Sequence, residues 1–146
     1  MRNLILTIGI PGAGKTTWAQ HYIKRYPATA YISSDQVRFD LTGSYDCNPE
    51  DKETIHDEVR RRAQKSLDEN KDVLIDATNT DTEEWVKFKK LQPTLFVAKV
   101  FDVEPEEAFL RIQERTRKVP MKVLEEKWKE LENGRKFLRV FFNFIL

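Results

Sequence analysis

The sequence predicts an α/β protein with a mostly parallel sheet of four to five strands between two layers of helices. Short β-rich apolar runs alternate with amphipathic helical patterns, as expected of strand–helix–strand units. Several of these runs are nearly continuous, which is typical of strands buried on both faces. A glycine-rich segment directly follows the first run. Together these features predict a three-layer α/β/α arrangement with a loop at the carboxyl end of the first strand.

Length and composition predict a single domain over residues 1–146. Hydrophobic residues at 40% and charged residues at 34% exclude long disorder, collagen and a membrane bundle. The formal net charge of +1 excludes a strongly basic binder, so any nucleic-acid contact requires a local basic patch. Cys47 is the single cysteine, and the first apolar run stops at Pro11, short of a membrane span. We therefore expect a cytoplasmic protein with no membrane partner.

The elements of the first half follow from periodicity and capping. Residues 4–8 form the first strand, and helical spacing predicts a helix over 15–25. Residues 30–32 are a second strand candidate. Asn48 as a cap and Pro49 in the first turn predict the start of a long helix. Its apolar stripe consists of Ile55, Val59, Ala63 and Leu67.

A third strand and a fourth strand follow in the second half. Residues 73–75 form the third strand, which ends at Asp76. Thr80 and Glu83 have the spacing of a capping box, which predicts a helix after this strand. The apolar run at 95–101 is the fourth strand. The order of these elements continues the strand–helix alternation.

Two helices and an apolar tail complete the chain. Pro105 opens one helix and Pro120 opens the last, for which Gly134 is the predicted stop. The tail at 137–146 is apolar, and periodicity does not distinguish a fifth strand from a short helix. An exposed patch of this kind favours association. We therefore expect the tail to add a strand or to form a contact in a homo-oligomer.

The segment Gly9–Thr16 matches the phosphate-binding pattern G-x-x-x-x-G-K-[ST] between a predicted strand and a predicted helix. Glycines allow successive backbone N–H groups to point at phosphate oxygens, and the helix N-terminus adds positive charge. Lys15 is expected to reach the β- and γ-phosphates of ATP, and the Thr16 hydroxyl is expected to ligate Mg²⁺. The predicted nucleotide-binding residues here are Gly12, Ala13, Gly14, Lys15, Thr16 and Thr17.

The class of P-loop protein follows from a second acid and from two exclusions. Asp76 ends a strand where P-loop proteins place an acid near magnesium, so we expect it to be a metal residue with Thr16. The run Asn70–Val73 fails the guanine-specific Asn-Lys-x-Asp pattern and precedes a strand instead of following one. A motor or an AAA-type machine would need a longer chain. The sequence therefore indicates a small phosphotransferase.

Such an enzyme needs a site for the phosphoryl acceptor. Asp35 follows the second strand, in the crevice where open α/β sheets bind ligands, and it is placed to take the proton of an attacking hydroxyl. Arg38 would share a helix face with Asp35 and hold an anionic acceptor. The alternative is a simple helix cap, in which Ser33, Ser34 or Asp35 binds the first turn and Arg38 is solvated.

An arginine-rich segment suggests a lid. Arg111 and Arg115 are spaced i, i+4 after Pro105, and Arg117 and Lys118 follow. Arginines near a mobile helix end are suited to bracing phosphoryl oxygens. The alternative is a solvated charged face. We predict that Arg111 and Arg115 bind the donor nucleotide.

The ordered segments LILTIGIPGAGKTTWA, SSDQVRF, VLIDATN, FDVEPEEAF and RTRKVP resemble the kinase domain of phage polynucleotide 5′-kinases within the wider P-loop kinase family. The resemblance covers residues 2–131. It implies transfer of the γ-phosphate of ATP to the 5′-hydroxyl of DNA or RNA, with nucleic acid 5′ ends as substrate. Such an enzyme acts in nucleic acid repair.

The resemblance also implies roles for individual residues. Asp35 matches the general base, and Arg38 matches the arginine that holds the 3′-phosphate of the acceptor. Arg115 matches a catalytic lid arginine on the donor phosphates, beside Lys15. Thr78 and Asn79 match a loop near the acceptor.

The chain also departs from the phage pattern. Ser34 stands where the phage enzyme has a basic residue before its general base, and the order Asp-Ala-Thr-Asn at 76–79 resembles the wider family. The chain has no Asp-x-Asp-Gly phosphatase motif. Two alternatives therefore stay open: a kinase of a small hydroxyl compound such as a nucleoside, nucleotide or sugar, and an ATP-gated binding protein.

Overall fold

The computed structural model describes residues 1–46, 49–115 and 118–146. Its strands are β1 (Leu4–Ile8), β2 (Ala30–Ser33), β3 (Val73–Asp76), β4 (Phe96–Val100) and β5 (Phe144–Ile145). Its α-helices are α1 (Lys15–Arg25), α2 (Ser34–Thr42), α3 (Pro49–Asp68), α4 (Thr82–Lys89), α5 (Pro105–Ile112), α6 (Met121–Gly134) and α7 (Leu138–Phe141). The Asn48 cap, Cys47 and Arg117 lie outside the described residues.

The strands form one five-stranded sheet in the order β2-β3-β1-β4-β5. Every pair is parallel, so all of the carboxyl ends lie at the same edge. In the register of β2 and β3, Ser33 lies opposite Asp76. The loops after β1, β2 and β3 are therefore neighbours, which brings the glycine-rich segment, Asp35 and Asp76 to one edge. This architecture confirms the predicted α/β fold.

Helices cover both faces of the sheet. On one face, Ala19 of α1 packs with Ile5, Leu74 and Val97 of the strands. On the other face, helices α3, α4 and α7 contribute to a larger core in which Trp85 is fully buried. Leu4, Leu6 and Ile8 of β1 enter the larger core and Ile5 enters the other, which is why this strand is apolar on both faces.

The helices α5 and α6 pack on the glycine-rich loop through a third cluster. Ile10 and Ala13 of the loop contact Ala108, Ile112 and Leu124 in this cluster. The loop that follows β1 therefore packs against α5, the helix that carries Arg111. Helix α5 thus holds Arg111 beside the loop, and a role of α5 and α6 as a lid stays a prediction.

The predicted capping box at Thr80 and Glu83 is wrong. Helix α4 begins at Thr82, and the side chain of Asp81 accepts a hydrogen bond from the backbone N–H of Glu83. The hydroxyl of Thr80 instead donates to Glu130 of α6. Thr80 therefore does not cap α4, because its hydroxyl is hydrogen-bonded to α6.

Helix α6 ends at Gly134, as the sequence predicted. Gly134 itself has right-handed helical angles, and the chain continues through a 3₁₀ turn (Arg135–Phe137) into α7. A Cβ at Gly134 would lie 2.9 Å from Cγ2 of Thr82 and 3.2 Å from Cη2 of Trp85. Close packing between α6 and α4 therefore explains why a glycine stands at this helix end.

The apolar tail contains both of the predicted elements, a short helix and a strand. Strand β5 pairs with Val97 and Ala98 of β4, and Phe142 stacks on Phe96 with ring centroids 4.3 Å apart. Val140 and Phe144 remain more than half exposed. Association between copies through the tail stays a prediction. Among the described residues, no helix combines the length and apolar character needed to cross a membrane.

A buried carboxylate joins α3 to α4. Glu84 accepts a hydrogen bond from Arg60 at 2.7 Å and lies 3.3 Å from Nδ1 of His56. Ligand atoms of Glu53, His56 and Glu84 lie within 4.8 Å of one another. Arg60 and Lys87 supply cations to these carboxylates, so ion pairing accounts for the cluster.

This network predicts an acid-sensitive contribution to stability. Burial opposes ionisation of Glu84, but His56, Arg60 and Lys87 outweigh it and hold the pKa of Glu84 below its ordinary 4.5. On acidification the unfolded chain takes up this proton first, so the contribution is present above pH 4.5 and falls below it. Glu84→Gln should lower the free energy of unfolding at neutral pH by ~1–3 kcal/mol.

Urea unfolding of both proteins at neutral and acidic pH measures this effect, with Glu125→Gln at an exposed position as the matched control. The difference in free energy of unfolding between Glu84→Gln and the parent protein should become smaller as the pH falls below 4.5. A gap that is independent of pH would contradict the proposed charge network.

Candidate active site

The glycine-rich loop needs glycine at two positions for different reasons. Gly12 and Gly14 have positive φ angles of 86° and 95°, which other residues rarely adopt. A Cβ at Gly12 would also lie 2.9 Å from the carbonyl oxygen of Ala108, because the loop lies directly on α5. Helix α1 then begins at Lys15 and presents its N-terminus to the loop. This geometry is suited to binding phosphate oxygens.

Lys15 is buried at the centre of the loop. Its Nζ donates a hydrogen bond to the carbonyl oxygen of Ile10 at 2.7 Å. Burial lowers the pKa of Lys15 to about 8; Asp76 opposes this shift, nearby Arg115 adds to it, and Asp35 opposes it. The buried site therefore disfavours the charged form of Lys15, and an anionic phosphate would stabilise that charge.

Asp76 binds two hydroxyl groups at the carboxyl end of β3. Its Oδ2 accepts from the Thr16 hydroxyl at 2.9 Å and from the Tyr31 hydroxyl at 2.6 Å. Burial and the adjacent carboxylate of Asp76 raise the pKa of Tyr31, so it stays a donor. Thr16 and Asp76 are hard oxygen donors of the kind that Mg²⁺ prefers, so this pair fits the predicted metal site.

Tyr31 was missed in the sequence analysis. Its position in a short strand indicated only β structure, and the residue carries no motif. Its hydroxyl reaches Asp76 because β2 and β3 are paired in register. The parallel arrangement therefore supplies Asp76 with a partner that no spacing along the chain indicates.

The loop after β3 is tied to β1. Asn79 is buried, has a φ angle of 48°, and its amide donates to the carbonyl oxygen of Thr7 at 2.8 Å. The carbonyl oxygen of Thr78 accepts from the backbone N–H of Gly9 at 2.9 Å. These contacts place Thr78 and Asn79 against the start of the glycine-rich loop. Their contact with an acceptor stays a prediction.

Asp35 and Arg38 occupy the first turns of α2. The Ser33 side chain accepts from the backbone N–H of Gln36, so the predicted cap is present together with the ion pair. Nη1 of Arg38 donates to Oδ1 of Asp35 at 2.5 Å. Asp35 is more exposed than Arg38, with 58% against 17% of the side chain accessible. The carboxylate is therefore presented to solvent while its arginine is largely packed.

A cleft of about 490 Å³ is lined by Asp35, while Arg38 is not among its lining residues. Three of its lining residues are Thr16, a candidate metal residue, Tyr31, whose hydroxyl donates to Asp76, and Asp35. The other lining residues are Gln20, Ile32, Ser33, Gln36, Tyr45 and Arg62. The structure thus brings Asp35 and Thr16 to one cavity, as expected for residues that follow the carboxyl ends of parallel strands. The contributions of Gln20, Tyr45 and Arg62 were missed because they come from separate helices and a turn.

Arg111 and Arg115, the arginines predicted to form a lid, both lie near the loop. A Cβ built on Gly14 would be 3.7 Å from Nη1 of Arg111, so this guanidinium adjoins the phosphate loop. Helix α5 ends at Ile112, so Arg115 lies beyond the helix and not on its continued face. Arg115 is exposed, yet it is close enough to lower the pKa of Lys15. Arg111, which lies within α5, and Arg115, which lies beyond its end, are therefore both near the loop.

Comparison with known proteins agrees with this geometry. A family model described as AAA domain matches residues 4–138. We expected an AAA-type protein to need a longer chain, and this match shows that a family described as AAA domain does not. The matched residues include the glycine-rich loop, Asp35 and Arg111.

Solved structures share the fold. A chain of the Pnkp1/Rnl/Hen1 RNA repair complex has a TM-score of 0.81 and 24% identity over 92% of this chain and 45% of that one. A chain of the Pnkp1/Rnl/Hen1 complex has a TM-score of 0.66 and 26% identity over 79% and 40%. A gluconokinase from Sinorhizobium meliloti 1021 has a TM-score of 0.66 and 17% identity over 94% and 79%. This chain spans less than half of the two complex-derived chains.

Proposed function

We propose that this chain, which belongs to the AAA domain family and has a P-loop kinase domain, transfers the γ-phosphate of ATP to the 5′-hydroxyl of a polynucleotide. The observation that carries the proposal is Asp35, which is ion-paired with Arg38 and lines a cleft together with Thr16. A carboxylate, an arginine and a phosphate loop at one edge provide an acceptor site beside a donor site.

The donor side of the proposal rests on the loop and its cations. The loop N–H groups and Lys15 would hold the β- and γ-phosphates, while Arg111 and Arg115 approach from the lid. Thr16 and Asp76 would hold Mg²⁺, which neutralises charge on the phosphates when bound. Tyr31 keeps the Asp76 carboxylate oriented by its hydrogen bond. The protein would act chiefly by positioning and charge stabilisation.

The acceptor side rests on a base and a phosphate ligand. Asp35 is exposed to the cleft and would take the proton of the attacking hydroxyl. Arg38 would bind the 3′-phosphate of the terminal nucleotide, which places the 5′-hydroxyl at Asp35. The likeness to chains of RNA repair complexes supports a polynucleotide acceptor.

A second candidate is a kinase of a small hydroxyl compound. The likeness to a gluconokinase supports it, because this chain matches 79% of that protein and less than half of the RNA repair chains. Ser34, in the place of a basic residue before Asp35, also favours it. In this candidate Arg38 would bind a carboxylate or phosphate of the small molecule.

Acceptor use separates the two candidates. The protein is incubated with γ-labelled ATP, Mg²⁺ and either 5′-hydroxyl oligonucleotides, nucleoside 3′-monophosphates, bare nucleosides or sugar acids. Label on oligonucleotides and nucleoside 3′-monophosphates is the expected result. Label on sugar acids or bare nucleosides alone would favour the second candidate, and hydrolysis without an acceptor product would favour an ATP-gated binding protein.

Arg38→Ala tests the residue that reads the acceptor. A charge-assisted contact is worth ~1.5–3 kcal/mol, so kcat/KM for nucleoside 3′-monophosphates should fall by ~10–150-fold. Bare nucleosides should lose little, and the ratio of the two values cancels general damage to the fold. Arg25→Ala, at an exposed position on α1, is the matched control. Equal losses on both acceptors would contradict recognition of the 3′-phosphate by Arg38.

A further inference from the structure

Two aromatic rings form a stack at the edge of the acceptor cleft. The centroids of Phe39 and Tyr45 are 4.8 Å apart and their planes differ by 29°. Phe39 is 41% exposed and Tyr45 is 46% exposed. Tyr45 also lines the cleft that contains Asp35 and Thr16. The rings therefore combine an exposed aromatic surface with a position beside the acceptor site.

The turn after α2 holds this stack in place. Gly43 ends α2 with a φ angle of 75°, and its backbone N–H donates to the carbonyl oxygen of Phe39 at 2.8 Å. The Thr42 hydroxyl accepts a hydrogen bond from the backbone N–H of Ser44 at 3.2 Å. This reversal returns the chain over the last turn of α2, so Tyr45 packs on Phe39. The ring is thus held by its own turn before any ligand binds.

We propose that Tyr45, supported by Phe39, is a stacking platform for the nucleobase of the acceptor's terminal nucleotide. Bases displayed by single strands stack on aromatic side chains, and this contact tolerates any base because each has a π-face. The inference rests on the proposed polynucleotide acceptor and specifies what holds its base.

The composition of the cleft supports a base on the acceptor side. Its lining includes Asp35 and Thr16 but none of the loop glycines and no residue of α5, so Arg111 is not part of it. Its other aromatic residue, Tyr31, is committed through its hydroxyl to Asp76. Tyr45 is therefore the lining aromatic placed for stacking, while Asp35 and Arg38 act on the sugar and the 3′-phosphate.

An acceptor with and without its terminal base tests the platform. Two 5′-hydroxyl oligonucleotides are compared, identical except that one carries an abasic 5′-terminal sugar with the same 3′-phosphate. The measured quantity is the ratio of kcat/KM for the base-bearing and abasic acceptors. In Tyr45→Ala this ratio should fall by ~5–150-fold, the range for one lost base stack. Tyr45→Phe keeps the ring and should retain the ratio.

Tyr26→Ala is the matched control, since Tyr26 is 47% exposed but lies at the end of α1 outside the cleft lining. Its ratio should equal that of the parent protein. An unchanged ratio in Tyr45→Ala would overturn the platform, as would an equal fall in Tyr45→Phe. If the parent protein phosphorylates neither oligonucleotide, the proposed function fails and the platform fails with it. Activity on both oligonucleotides with an unaltered ratio in Tyr45→Ala overturns the platform alone.

Discussion

Replacing Lys15 by alanine is expected to lower kcat/KM for phosphoryl transfer by at least ~10²–10³-fold, because one electrostatic contact to the transition state is lost. Lys15 lies at the centre of the loop, and both its burial and Arg115 disfavour its charge before a phosphate binds. The same burial means that the folded state gains little from the ammonium group. The free energy of unfolding of Lys15→Ala should therefore not fall together with the activity.

Steady-state kinetics and thermal unfolding of the same preparation separate the two effects. Lys24→Ala is the matched control, because Lys24 is exposed on the same helix. It should keep the parent activity. Activity of Lys15→Ala within tenfold of the parent protein would contradict the phosphate-binding assignment of the loop.

Asp35→Asn is expected to lower turnover by ~10²–10⁴-fold, the range for loss of a general base. Asparagine keeps the shape and an oxygen that accepts from Arg38, but it does not take the proton of the acceptor hydroxyl. Asp35 lies in the acceptor cleft and outside the glycine-rich loop, so the Kd for ATP should remain near the parent value. Turnover and calorimetric ATP binding measure the two quantities.

A pH profile distinguishes a base from a positioning residue. If Asp35 is the general base, Asp35→Asn should lack the acidic limb of the pH profile of kcat/KM that the parent protein shows. Asp68→Asn, at the exposed end of α3, is the matched control and should keep the parent profile. A retained acidic limb in Asp35→Asn would assign proton transfer to another group.

Local patterns were sufficient for most of the fold. The apolar runs predicted β1, β3 and β4 to within a residue or two, because strands buried on both faces need continuous apolar sequence. The loop from Gly9 to Thr16 predicted the start of α1, because its glycines adopt conformations that few other residues tolerate. The pattern failed at Thr80, because its hydroxyl donates to Glu130 of α6 while the side chain of Asp81 caps α4.

The chemistry of the candidate site divides in the same way. The phosphate-binding pattern predicted Lys15 and Thr16, and the end of the third strand predicted Asp76. Their binding of phosphate and magnesium stays a prediction. The partners of those residues come from distant segments. Tyr31 reaches Asp76 through strand pairing, and Arg62 reaches the cleft from α3.

The sequence alone determined the α/β class, the phosphate loop and the acid–arginine pair at Asp35 and Arg38, because each depends on residues close together in the chain. Only the tertiary structure decided that Tyr31 binds Asp76, that Tyr45 stacks on Phe39 beside the cleft, and that Gly134 is a packing contact. These features depend on which surfaces meet when the parallel sheet and its helices assemble. Spacing along a chain records periodicity, whereas the juxtaposition of distant segments is settled by packing.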